Sequence, residues 1–157
     1  MIADFRTDVG EAAAKDLNCA FHLTDVTKID NWEALLKKTV DTYGKVDAVI
    51  NNAGSTYRNK STNDVTDADF DLCFNVNVRS IYYSAKVIIP HMQKEGNGGV
   101  FVNVASTAGI RPRPGLTWYN ASKAAVINAT KTMAVEYAKD NIRWLSVCPV
   151  LAMGTGL

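Results

Sequence analysis

The chain alternates two rhythms of apolar residues. Short apolar runs at "CAFHL" (19–23), "VDAVI" (46–50), "VFVNVA" (100–105) and "IRWLSVCPV" (142–150) are separated by polar or glycine-containing stretches. These short apolar runs predict strands, with 46–50 a β-branched, buried one. Between them the apolar positions fall at helical spacing. Trp32, Leu35, Leu36, Val40 and Tyr43 follow Asp30, a helix-capping residue type, and precede Gly44, a helix stop. Phe70, Phe74, Val78, Ile81, Ala85 and Ile88 predict one long helix from Asp67 to about Met92, broken by "EGNGG" (95–99). "WYNASKAAVINATKTMAVEYA" (118–138) predicts another helix, and 55–66 and "GIRPRPG" (109–115) read as loops.

Strand–helix alternation with short connections implies βαβ units, hence an α/β fold with a parallel sheet covered by helices. In such sheets functional residues gather at the carboxyl ends of the strands. "NNAG" (51–54), "VAST" (104–107) and "CPV" (148–150) all fall there.

Composition narrows the classes of function. A chain of 157 residues with 47% hydrophobic and 21% charged residues is sized for one domain, taken here as 1–157. Its net charge of +1 gives no electrostatic footprint for nucleic acid or an anionic membrane. No apolar run approaches the roughly 20 residues of a membrane span. The start lacks the pattern of a secretory signal, so a cytoplasmic location is expected. Cys19, Cys73 and Cys148 have no paired spacing and are expected as buried free thiols. His22 and His91 are too isolated to build a metal site, and none is expected.

The sharpest candidate chemistry is "YNASK" (119–123). Tyr119 and Lys123 stand four apart and share a helix face. A phenol titrates near ~10, and a neighbouring ammonium favours its phenolate, which makes the pair a proton-transfer device. The same spacing also arises as a surface coincidence. Ser106 ends the strand thirteen residues earlier, where its hydroxyl could meet a substrate oxygen or could cap a turn. Asn77 interrupts the apolar "FNVNV" face, where an amide needs a partner.

Taken in order, "DVT" (25–27), "NNAG" (51–54), "NVNVRS" (75–80), "VNVAST" (102–107), "YNASK" (119–123) and "CPV" (148–150) resemble the short-chain dehydrogenase/reductase family. The resemblance runs through essentially the whole chain. It implies a Rossmann-like doubly wound sheet and hydride transfer between NAD or NADP and a ketone or secondary alcohol. It implies Tyr119 as acid–base, Lys123 as the group that lowers the tyrosine pKa and holds the nicotinamide ribose, Ser106 as the group that orients the substrate oxygen, and Asn77 as the holder of a relay water. Asp25 and Val26 would flank the adenine, and Asn52, Ala53 and Gly54 would line the cofactor cleft. The amides of "NNAG" would stabilise the end of the central sheet. A homo-oligomer would form through helices 67–92 and 118–138.

The family opens with a strand, a glycine-rich turn and a helix that binds pyrophosphate, and this sequence shows no such segment. "MIADFR" aligns with the end of the family's second strand, which makes Asp4 the ribose-binding acid and favours NAD. "CPV" carries Val150 where the family has glycine. The expectation is a domain truncated at both ends, lacking its central first strand and therefore weakened or rearranged. An inactive homologue that modulates full-length relatives is the alternative reading of function.

Overall fold

The computed structural model describes residues 1–150. Strands and helices alternate as β1 (Ile2–Asp4), α1 (Thr7–Asp16), β2 (Phe21–Leu23), α2 (Ile29–Tyr43), β3 (Ala48–Asn51), α3 (Asp67–Phe74), α4 (Ser80–Glu95), β4 (Gly99–Val104), α5 (Thr117–Glu136) and β5 (Ile142–Val147). Every strand pair is parallel, in keeping with the predicted α/β class. The strands form two sheets, β1–β2 and β3–β4–β5. β1 and β3 are not joined, so the strands of the described residues do not form one continuous sheet. The strand at 19–23 keeps a parallel partner through 21–23, with Phe21 opposite Ile2 and Leu23 opposite Asp4.

The main core lies on one face of β3–β4–β5. Phe101, Ile142 and Trp144 point into it and meet Ile81, Ile88, Ile89 and Met92 of α4 and Val126 of α5. The Phe101 and Trp144 rings stack at 3.9 Å with 3° between their planes. The other face is open. Ile50, Val102 and Leu145 share one cross-strand row, and Ile50 remains 59% exposed. This corrects the expectation that 46–50 is a buried run: only alternate residues of β3 find a helix to pack against.

Two local expectations also change, and one helix is added. Helix α1 has no strong apolar stripe; its contacts are made by Gly10, pressed against the Phe21 ring, and Ala14. The N-cap position of α2 is Lys28, in extended backbone with no side-chain cap hydrogen bond, and Asp30 lies inside the first turn. The long helix 67–92 is two α-helices joined by a π-helical turn over Asn75–Arg79, beginning at a Thr66–Asp69 capping box. Among the described residues no helix is long and apolar enough to cross a membrane, and no cluster of His, Cys, Asp and Glu could hold a metal.

Candidate active site

Parallel pairing sets the carboxyl ends of β3 and β4 side by side, with Asn51 opposite Asn103. Asn51 Nδ2 donates to Asn103 Oδ1 (2.8 Å) and Ser84 Oγ (2.9 Å), and Asn103 Nδ2 donates to Thr130 Oγ1 (2.8 Å). This buried rung ties the sheet to α4 and α5, so the first amide of "NNAG" serves the fold. Asn52 and Ala53 are exposed beyond it, and Gly54 is half-buried.

Asn77, only 1% exposed, reaches from the π turn to the loop after β3. Its Oδ1 accepts from the Ser55 N–H (2.8 Å), and its Nδ2 donates to the Ser55 carbonyl (2.9 Å) and Ser122 Oγ (2.9 Å). The Ser122 hydroxyl donates in turn to the Tyr119 carbonyl (2.7 Å). The Asn77 side chain is thus spent on holding the "NNAG" loop against α5.

Tyr119 and Lys123 are both buried, at 9% and 4% exposure, which removes the reading of a surface coincidence. Lys123 Nζ donates to the Val104 carbonyl (2.9 Å) and stands 5.9 Å from the Tyr119 ring centroid. A Cβ placed on Gly54 would lie 3.4 Å from that nitrogen, so the glycine backbone and the ammonium face each other closely. Burial pushes the Lys123 ammonium below the usual lysine range, and the Cys73 and Cys148 thiols partly oppose this. Burial likewise pushes the Cys73 thiol up.

Ser106 is 5% exposed in extended backbone, and its Oγ accepts from the Ala108 N–H (3.1 Å). The turn-capping alternative therefore describes part of its bonding and leaves its hydroxyl proton free for another acceptor. "CPV" docks onto the same loop, because the Pro149 carbonyl accepts from the Thr107 N–H (3.1 Å).

Asp4, Asp25 and Val26 form a separate group at the carboxyl end of β1–β2. The two acids are bonded alike: Asp4 Oδ1 accepts from the Arg6 N–H (2.8 Å), and Asp25 Oδ1 accepts from the Thr27 N–H (2.9 Å) and hydroxyl (2.7 Å). The Oδ2 atoms make no hydrogen bond among the described residues. The Val26 carbonyl accepts from Trp32 Nε1 (3.0 Å). No hydrogen bond links this group to the Ser106–Tyr119–Lys123 group.

Sequence reasoning missed Tyr57, Ser122 and Cys73, which pack around the site. Only the lone aromatic in an otherwise polar 55–66 stretch could have flagged Tyr57. Of the expected buried thiols only Cys73 is buried; Cys19 and Cys148 are half-buried, and all three are free. A cleft of about 510 Å³ lined by Gly109, Arg113, Thr117, Asn120 and Ala124 lies along the face of α5 turned away from Tyr119 and Lys123.

A parallel α/β sheet with polar groups collected beyond its strand ends places the chain among the Rossmann-like doubly wound folds. The model of the short chain dehydrogenase family matches residues 2–156. The chain is 46% identical over 127 residues to 4-formylbenzenesulfonate dehydrogenase of Comamonas testosteroni, covering 81% of this chain and 50% of that protein. It is 40% identical over 128 residues to a 3-oxoacyl-[acyl-carrier-protein] reductase of Thermotoga maritima, covering 82% and 51%. It superposes on the NADH complex of a Brucella melitensis 3-ketoacyl-(acyl-carrier-protein) reductase with TM-score 0.91 and 34% identity, over 94% of this chain and 63% of that one. ElxO with NADP bound gives TM-score 0.87 and 28% identity, over 95% and 62%. The chain belongs to the short-chain dehydrogenase/reductase family. It spans about half the length of the curated relatives it matches.

Proposed function

We propose that this chain carries the proton-transfer centre of an NAD(P)-dependent oxidoreductase acting on a ketone or secondary alcohol. The observation that supports it best is the joint burial of Ser106, Asn77, Tyr119 and Lys123 beyond the ends of β3 and β4. Four polar side chains buried at the strand ends carry a cost in stability, which supports a functional reading.

The residues fit a dinucleotide at both ends. Lys123 Nζ spends one hydrogen on Val104 and keeps two for ribose hydroxyls. Asn52, Ala53 and Gly54 offer a low wall of backbone and small side chains. Asp4 and Asp25 each keep an unengaged carboxylate oxygen, and Asp4 in that position favours the free ribose hydroxyls of NAD over the phosphate of NADP. A dinucleotide held by these residues would supply redox chemistry, its reduced form giving a hydride to the carbonyl carbon in reduction and its oxidised form taking one from the alcohol carbon in oxidation. The Tyr119 hydroxyl gives its proton to the carbonyl oxygen during reduction and takes it back during oxidation. The Ser106 hydroxyl donates a hydrogen bond that orients this oxygen. The Asn77 side chain keeps the loop and helix in register.

The test is a fluorescence titration with NADH and NADPH, followed by reduction of a panel of ketones. Tyr119→Phe is expected to bind NADH as the unchanged chain does and to lose turnover by roughly 100-fold or more. Asp4→Ala is expected to weaken NADH more than NADPH. Turnover that survives in Tyr119→Phe would overturn the assignment. A homo-oligomer through the helical segments 67–92 and 118–138, that is α3, α4 and α5, belongs to the same reading; sedimentation velocity tests it.

A further inference from the structure

Helix α5 carries Tyr119 in its first turn, yet it begins without a cap of its own. The residue before Thr117 is Leu116, whose side chain cannot accept a hydrogen bond, and no side chain near it in sequence does so. The orphan N–H groups of a first turn need an acceptor, most often at the second or third helical position. Here the second position is Trp118, and its N–H donates to the hydroxyl oxygen of Tyr57, 2.9 Å away and 61 residues back along the chain.

Tyr57 is 6% exposed, and its ring packs with Cys73, Ala108 and Tyr119, with Trp118 and Leu116 alongside. The loop that bears it is fixed at both ends. Asn77 holds both backbone groups of Ser55. Further on, Asn59 Nδ2 donates to the Pro114 carbonyl (3.0 Å), the Lys60 N–H to the Gly115 carbonyl (3.1 Å), and the Thr62 and Thr117 hydroxyls meet at 2.7 Å. Gly115 is confined to glycine twice over, by φ +79° and by Asn59 against its α-carbon. The cap is therefore presented from a rigid support.

We propose that Tyr57 is a positioning residue: its hydroxyl caps α5 from a distant loop and thereby sets the orientation of Tyr119 one residue beyond the capped amide. The positioning half of this rests on the reading of Tyr119 given above; the cap itself does not. Tyr57→Phe removes the acceptor and keeps the ring. Asn59→Ala, which removes a neighbouring stitch and leaves the cap, is the control.

The experiment is NMR of the ligand-free 157-residue chain, reading amide exchange and the ¹³Cζ resonance of Tyr119, assigned through Tyr119→Phe. In Tyr57→Phe the Trp118 amide is expected to exchange roughly tenfold faster while the Phe101 and Val102 amides of β4 are unchanged, and the Tyr119 resonance is expected to move. Asn59→Ala should do neither. An unchanged Trp118 amide, or equal acceleration of every amide, overturns the cap. A faster Trp118 amide with an unmoved Tyr119 resonance overturns the positioning role. If the chain reduces ketones, Tyr57→Phe should lower kcat several-fold at unaltered KM for NADH. A chain without turnover would count against the proposed function alone, because the spectra decide this inference without cofactor.

Discussion

Lys123 shows how the proposed function and stability oppose each other at a single residue. Its ammonium is buried beside Gly54 and the Val104 carbonyl, with its pKa lowered chiefly by loss of water. Between the folded and unfolded pKa values the unfolded chain binds more protons, so stability rises with pH across that interval. At lower pH the cost of burying the charge is present in full. The expected outcome is that the thermal midpoint of the unchanged chain climbs by a few degrees relative to Lys123→Met as pH moves from neutral toward the lysine's ordinary titration range. Calorimetry of both proteins across that range checks it, and parallel midpoints would refute the buried charge. The sequence named Lys123, Tyr119, Ser106 and Asn77 because residue types at fixed spacing are visible in one dimension. It did not show that the Asn77 amide is fully committed to Ser55 and Ser122, since those partners are 22 and 45 residues away.

At the scale of elements, α3 is the clearest case of local chemistry fixing a boundary. Thr66 and Asp69 bond each other's backbone N–H groups, and Lys60 donates to the same Asp69 carboxylate at 2.9 Å. The Lys60 and Thr66 hydrogen bonds hold the Asp69 pKa at about 2. A depressed carboxylate stabilises the fold above its unfolded pKa and loses that contribution as pH falls through the folded one. Asp69→Asn is therefore expected to be less stable than the unchanged chain at pH 5, with the two acid-unfolding curves converging toward pH 2. A constant gap would refute the assignment. Elements with caps, glycine stops or strong periodicity were readable: Gly44 and Gly96 end α2 and α4 in left-handed backbone as their positions implied. Helix α1 was not, because it packs through a glycine and an alanine and leaves no apolar stripe. The π turn was not either, because one extra residue per turn leaves no compositional trace.

The whole molecule is defined by what its sheets leave open. The row Ile50–Val102–Leu145, with Val147 beside it, presents apolar side chains to water next to the unpaired edge of β3. Exposed apolar faces beside open parallel edges favour association. Ile50→Lys combined with Leu145→Thr is expected to lower concentration-dependent association, read by light scattering. The unfolding midpoint should change little, since neither side chain contacts the main core. Loss of folding in this variant would mean that the open face is packed.

The sequence by itself determined the α/β class, the strands β2 to β5 and the residue types at the strand ends, because these follow from periodicity and local spacing, and its ordered motifs carried the resemblance to the family. Tertiary structure decided the rest. It split the strands into two sheets, exposed half of β3, divided "NNAG" into a structural Asn51 and an exposed Asn52, and brought Tyr57 to the head of α5. Each of these depends on contacts between segments tens of residues apart, where burial and hydrogen-bond satisfaction, not local propensity, choose the partner.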